Sequence, residues 1–538
     1  MSLYRKITLI VFFISLITPK AFTQISLNTT SNLPLVVINT NGQTILDTPK
    51  ITADMGIIWN GPGKRNSLND PMNDYNGKIG IEIRGSSSQM FPKKSYGFET
   101  RSTDGLDLNV SLLGMPEEND WILYAPYTDK SMIRDVLSYT LYAALGSYSP
   151  RCHYVELVLD GSYEGVYVLM EKIKRDKGRV DIAKLTTADN TGENLTGGYI
   201  IKIDKTTGSG GEGWSSYYSN TVGNTYYQYD YPKQEDITDA QRTYLQTWVN
   251  GMEKALYTET FSGAGSYHEF LNDSSCIDFM ILNELAKNVD GYRLSSYLYK
   301  DKNKLMKAGP IWDFNLTYGN ANYYNGWIPT GFQYQADLGG DYWQNPFWWN
   351  KLMRDQSYVK SLKKRWATLR LKELSSQRIN YVVDSLTSLI SEAEVRNYVR
   401  WPILGTAVWP NYYVGPTYTS EIIWMKDWIT KRLIFMDQMW PYNFSADETQ
   451  LAQQTSKIFP NPFTDKLTVQ LPTTLNGMGY AEFFSTDGSL LRTNSVDIQN
   501  GQIQLEFNDR NALGCGLYML RISLNGRVVG LERIVRSH

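Results

Sequence analysis

Cysteine and histidine are scarce, with three of each in a chain of 538 residues. Cys152, Cys276 and Cys515, with His153, His268 and His538, are too few and too scattered for a structural zinc site. Cys152 and His153 are neighbours and cannot face each other along a strand, which argues against a Cys-His or Ser-His-Asp centre. Whether Cys152 and Cys276 pair or remain free thiols is left open at this level. An excess of one charge is missing too: 53 Lys and Arg stand against 55 Asp and Glu, for a net charge of −2. With no basic tail or stripe, nucleic acid is not an expected partner. A G-x-G-x-x-G loop is also absent.

Long apolar runs are absent beyond the N-terminus. There, Arg5 and Lys6 precede an apolar stretch over 7–18, and Ala21-Phe22-Thr23 supplies small residues before Gln24. That order predicts a secretory signal peptide at 1–23. Pro19 and Lys20 interrupt the run before it could span a bilayer, so no transmembrane segment is expected in the mature chain. The expected destination is export through the periplasm to the medium or the cell surface.

What is present is an ordinary globular composition, 42% apolar and 20% charged, in a chain long enough for several domains. Residues 24–75 read as an N-terminal strand region, with a strand at Leu35-Val36-Val37-Ile38. From 78 to about 205 short strands dominate. Ile79, Ile81 and Ile83 alternate with Gly80, Glu82 and Arg84, and Asp160-Gly161 joins a hairpin. Helical spacing marks 129–145 and, after Pro232, 236–255, 275–288 and much of 346–440. Gly208-Ser209-Gly210-Gly211 reads as a flexible loop. A polar linker at 446–458 then leads to evenly spaced strands over 459–538, with turns at Asp487-Gly488 and Asn525-Gly526, the pattern of a small β-sandwich. The expected class is α+β, a kinase-like two-lobe domain over 76–445 followed by that sandwich.

The chemistry concentrates in two segments. Asn288-Val289-Asp290-Gly291-Tyr292-Arg293 is followed, after a short strand pair, by Gly309-Pro310-Ile311-Trp312-Asp313-Phe314-Asn315. One carboxylate that orients an attacking hydroxyl, and a second in a D-F-x turn that holds magnesium, make up a phosphoryl-transfer site.

Several ordered segments then resemble the spore-coat CotH kinase family over roughly 34–440. They are Leu35-Val-Val-Ile-Asn-Thr-Asn-Gly, Ile83-Arg-Gly-Ser-Ser-Ser, Pro92-Lys-Lys-Ser-Tyr, Trp121-Ile-Leu-Tyr-Ala-Pro-Tyr-Thr-Asp-Lys, Gly165-Val-Tyr-Val-Leu-Met-Glu-Lys-Ile and Gly197-Gly-Tyr-Ile-Ile-Lys-Ile-Asp, with the two aspartate segments. Residues 459–538 separately resemble the type A C-terminal sorting domain of type IX secretion, with a Pro-Asn-Pro start and a Gly-Leu-Tyr strand. The resemblance implies an atypical kinase that uses ATP with Mg²⁺ or Mn²⁺ on Ser or Thr of a secreted protein. It also implies the type IX secretion machinery as a partner. Carried over, Asp290 is the catalytic aspartate and Asp313 the metal-binding one. Cations for the phosphates are expected from Lys93 or Lys94, read as adjacent strand positions on opposite faces, and from Arg84. Glu171 is expected to pair with that lysine.

The chain departs from the kinase pattern in places. The 85–88 segment (Gly-Ser-Ser-Ser) would have to cover the phosphates. Ser295 stands where many kinases have a metal-binding Asn, and a hydroxyl is the poorer magnesium ligand; Asn315 follows Phe314 where a second Asp is often seen. Two alternatives therefore stay open: a pseudokinase, or a glycan-binding surface protein. The latter draws on 38 Tyr and 15 Trp, clustered at Tyr323-Tyr324, Trp343, Trp348-Trp349 and 409–413.

Overall fold

The structure is a computed structural model describing residues 30–206, 211–219, 223–443, 457–471, 475–485, 490–507, 513–524 and 527–537. The expected signal peptide and the turns at 487–488 and 525–526 lie outside the described residues, as do 208–210 of the glycine-rich loop and 446–456 of the linker.

Strands β1 (Leu35–Asn39), β2 (Ile51–Ile58), β3 (Tyr75–Arg84), β4 (Ser95–Arg101), β5 (Asp120–Tyr124), β6 (Cys152–Leu159) and β7 (Ser162–Glu171) close into a barrel in the order β1-β2-β3-β4-β5-β7-β6. Closure depends on a parallel pairing of β1 with β6, Val36 opposite Leu157 and Ile38 opposite Leu159. Alternation along the strands turns Val36, Ile38, Met55, Ile79, Ile81, Phe98, Trp121, Leu157 and Leu169 into one shared core. Residue 76, the expected boundary, lies inside β3, which pairs with β2 from Ile57–Tyr75 to Ile51–Ile81.

Helix α1 (Arg134–Ala144) connects β5 to β6. The chain then forms a second, antiparallel sheet from β8 (Tyr199–Ile203), β9 (Gly213–Ser219), β10 (Asn224–Tyr231), β11 (Ser296–Lys300) and β12 (Lys307–Ala308), in the order β12-β11-β8-β10-β9. Helices α2 (Asp239–Tyr257), α3 (Asp273–Ala286), α4 (Phe347–Leu352), α5 (Gln356–Leu371), α6 (Ser376–Leu389), α7 (Ser391–Arg400) and α8 (Tyr418–Met439) share a large core with this sheet and α1. Within it, α3 packs against α1, α5 and α8. The fold is thus α+β as expected, but its first part is a closed barrel rather than the open sheet of a kinase lobe.

Strands β13 (Lys457–Phe459), β14 (Lys466–Gln470) and β17 (Gln502–Glu506) form one C-terminal sheet. The other contains β15 (Gly477–Phe484), β16 (Leu490–Ile498), β18 (Gly516–Leu524) and β19 (Arg527–Arg536). Their inner faces bury a separate core around Phe463, Val469, Phe483, Leu505 and Ile522. No disulfide joins the three cysteines among the described residues. No helix among the described residues is long and apolar enough to cross a membrane.

Candidate active site

Helix α3 delivers Asp290. It ends at Lys287 in a left-handed cap (φ 44), and the Lys287 ammonium donates to the carbonyls of Asn325, Ile328 and Thr330 at 2.7–2.9 Å. Beyond the cap, the Tyr292 hydroxyl donates to Glu284 at 2.9 Å. Glu284 is itself fully buried against Arg432 and accepts the backbone N–H groups of Gln333 and Tyr334. A buried charge is tolerated only when paired and hydrogen-bonded, and this one is both. The turn carrying Asp290 is therefore seated on the helical core. Its carboxylate accepts from Arg293 at 2.7 Å, and the Tyr323 hydroxyl lies 3.4 Å from each oxygen.

Asp313 follows β12. It occupies the left-handed region (φ 60), uncommon for a residue with a Cβ, while Ile311 and Phe314 on either side are buried. The Asp313 side chain meets solvent yet is surrounded by enough protein for desolvation to be the largest influence on it. Accessibility together with dense surroundings describes a recessed group. Among the described residues no donor hydrogen-bonds its carboxylate. Burial first, then repulsion from Asp290 and Asp204, raises its pKa above the usual carboxylate range, opposed by Arg84 and Lys205.

Asp204 is the member that sequence reasoning missed. In the Ile-Lys-Ile-Asp run at 201–204, Lys202 lies in β8 and Asp204 follows its last residue, two positions on, and that alternation was the available signal. The backbone N–H of Lys205 donates to the Asp204 carboxylate at 2.8 Å, and that of Ser295 donates as well. Burial raises the Asp204 pKa, opposed by Lys202. Ser295, expected as a metal ligand through its hydroxyl, stands at φ 47 with its amide on Asp204, which places it beside the cluster.

Arg84 joins the three aspartates. It closes β3, lies 5.7 Å from the centroid of the Trp312 ring, and is drawn by the charge of Asp313. The two lysines bond elsewhere, and neither lies in a strand, since β4 begins at Ser95. Lys93 is 3% exposed and donates to the Val166 carbonyl at 2.5 Å and to Asn397 Oδ1 at 2.8 Å, pinning β7 to α7. Burial pushes its ammonium down to about 7. The same Asn397 oxygen would lie 2.4 Å from a Cβ at position 165, where Gly165 also needs φ +94, so only glycine fits there. Lys94 donates to the Gln89 carbonyl at 2.5 Å. Glu171 pairs with neither lysine: fully buried, it accepts three bonds from Arg151 and one from Tyr148.

The site is thus three aspartates with Arg84, Lys202 and Lys205 around a recessed carboxylate. No group of three or more His, Cys, Asp or Glu among the described residues encloses a metal alone, so an ion here would need further ligands from a bound molecule.

Of the aromatic clusters, Trp348 and Trp349 are buried in the core. Tyr323 instead links Asp290 to the surface: it stacks on Trp409 with ring centroids 6.2 Å apart and planes 10° apart, and Trp409 is 52% exposed.

Comparison with known proteins adds the family. A family model described as "CotH kinase protein" matches residues 81–436, and one described as "Secretion system C-terminal sorting domain" matches residues 457–536. No curated protein matches the chain. Among solved structures, the Pseudomonas fluorescens alkylpurine DNA glycosylase AlkC, bound to DNA containing an abasic site analog, shares 13% identity. It covers 36% of this chain and 56% of its own, at a TM-score of 0.10, too slight a likeness to carry an argument. The sorting tail implies export, to the medium or to surface attachment, by the type IX machinery. Matched over most of its length and carrying this cluster of aspartates, the chain belongs to the CotH kinase protein family and ends in a type IX sorting domain.

Proposed function

We propose that this protein is an exported kinase that transfers the γ-phosphoryl group of ATP to a serine or threonine hydroxyl of a secreted or surface protein. The observation that carries the reading is the convergence of Asp290, Asp204 and Arg84 on the undonated carboxylate of Asp313. Asp313 and Asp204 would hold Mg²⁺ or Mn²⁺, which neutralises phosphate charge and orients the γ-phosphoryl group. Arg84, Lys202 and Lys205 supply the cations for the phosphates, while Lys93 and Lys94 bond the carbonyls of Val166 and Gln89. Asp290, held by Arg293, orients the acceptor hydroxyl and takes its proton. The hydroxyl oxygen then bonds the γ-phosphorus, and the bond to the bridging oxygen breaks, leaving ADP. Support for a two-lobe kinase plan is limited to the order of parts, a strand-rich barrel before a helical region. The test is mass spectrometry for phosphate on the purified chain, or on added protein, with ATP and Mg²⁺ or Mn²⁺. Wild-type protein that binds ATP without transferring phosphate would make it a pseudokinase.

A second reading, binding of a saccharide, draws on one observation. Trp409 and Tyr412 (46% exposed) present flat rings to solvent, each backed by a parallel partner, Tyr323 and Trp327. Glycan-array binding without ATP binding would favour it.

A further inference from the structure

Helix α1 carries Asp135 and Tyr139 four residues apart, hence on one face. Both are buried, and both reach the backbone of the turn that bears Asp313. The Tyr139 hydroxyl accepts the Asp313 N–H at 3.3 Å, and Asp135 Oδ1 accepts the Phe314 N–H at 2.7 Å. The same hydroxyl donates to Asp135 Oδ1 at 3.3 Å, so the two side chains act as one relay. We propose that Asp135 and Tyr139 are positioning residues, a clamp that holds the Asp313 turn left-handed and aims its carboxylate at the recessed site.

Three features support the clamp. First, β12 ends at Ala308, so the amides of Asp313 and Phe314 have no strand partner and need acceptors from elsewhere. Second, Asp135 is buried within reach of the Tyr124 hydroxyl, and neither that hydroxyl nor Asp135 Oδ2 makes a close hydrogen bond among the described residues. Stability alone disfavours such an arrangement, whereas a site that needs the other oxygen at this spot tolerates it. Third, Tyr139 stacks on Trp312 at 6.2 Å between centroids, and Arg84 sits over Trp312, so the same helix face also seats the cation opposite Asp313.

The aim of the carboxylate toward a metal rests on the phosphoryl-transfer reading; the clamp itself does not. The experiment uses the full chain and three variants, Tyr139→Phe, Asp135→Ala and Asp135→Asn. Amide hydrogen exchange over 311–315 is measured, alongside calorimetric ATP affinity with and without Mg²⁺. Tyr139→Phe keeps the ring against Trp312 and removes one acceptor, and it carries the test should Asp135→Ala fail to fold. Exchange is expected to rise by about tenfold or more in Tyr139→Phe and Asp135→Ala, and to stay near wild type in Asp135→Asn, whose amide oxygen still accepts. The Mg²⁺-dependent gain in ATP affinity is expected to fall in the first two variants and to recover in Asp135→Asn. Unchanged exchange in every variant would overturn the clamp, and faster exchange with an intact Mg²⁺ effect would overturn the positioning role. A wild-type chain with no Mg²⁺-dependent ATP binding would remove the kinase reading, and the exchange rates alone would then decide the clamp.

Discussion

Arg293 holds Asp290 from within the same turn, its guanidinium 2.7 Å from Oδ1, while its other arm reaches Asp341 at 3.0 Å. Asp290 is thereby fixed without being shielded. Asp290→Asn is expected to cut turnover by at least about a hundredfold, with ATP affinity nearly unchanged, because the proposed mechanism has the group act on the acceptor hydroxyl. Arg293→Ala removes the buried partner of two carboxylates and should lower both turnover and stability, the latter by about 2–4 kcal/mol in denaturant melts. Equal transfer rates in wild type and Asp290→Asn would refute the assignment.

Asp313→Asn and Asp204→Asn should instead weaken Mg²⁺-dependent ATP binding, by about tenfold or more for Asp313 and by less for Asp204, because each removes a charged oxygen donor. Arg84→Ala should weaken ATP binding with or without metal. Isothermal titration at matched Mg²⁺ concentrations separates these outcomes, and wild-type affinity in Asp313→Asn would remove it as a ligand.

Lys93→Met makes a sharp contrast. Its ammonium bonds the Val166 carbonyl and Asn397, so its loss should cost stability, on the order of 1–3 kcal/mol, and leave ATP affinity unchanged. A chain of normal stability that no longer binds ATP would return Lys93 to the site.

Glu253 gives a pH test away from the site. Fully buried, it accepts from Ser216 at 2.7 Å and Tyr227 at 2.8 Å, and burial pushes its carboxyl up to about 7. The folded state thus holds this proton more tightly than the unfolded chain does. Its contribution is present in full below the ordinary carboxylate pKa and is lost as pH rises through about 7. Stability should therefore decline between about pH 4.5 and 7.5, by an amount on the order of 3 kcal/mol, and Glu253→Gln should flatten that decline. Denaturant melts across this range measure it.

The C-terminal sheets bury their own core, apart from that of the barrel and from that of the helical region. A chain ending after Tyr442 should fold with its main melting transition within a few degrees of full length, yet fail to be exported. Insoluble truncated protein beside well-folded full-length protein would place the boundary elsewhere.

Local pattern was enough for much of this molecule. Alternation at Ile79, Ile81 and Ile83, the Asp160-Gly161 hairpin and the helical spacing after Pro232 all marked real elements, because strand and helix periods are written by neighbours in sequence. The Asp290 and Asp313 segments were also legible, and so was the sorting tail. Contacts between distant residues decided the rest. Barrel closure needs β1 beside β6, and no local period encodes that parallel pairing. Lys93 looked like a phosphate cation until Asn397 was brought beside it, and Glu171 looked like its partner until Arg151 took its oxygens. Asp204 entered the candidate site only when β8 and β11 paired and brought the Ser295 amide to its carboxylate. Residue type sets what a side chain can do, but long-range packing sets which charges share one recess. For this protein the sequence alone determined the elements, the two marked aspartates and the family, whereas tertiary structure decided which cations and which third carboxylate stand with them.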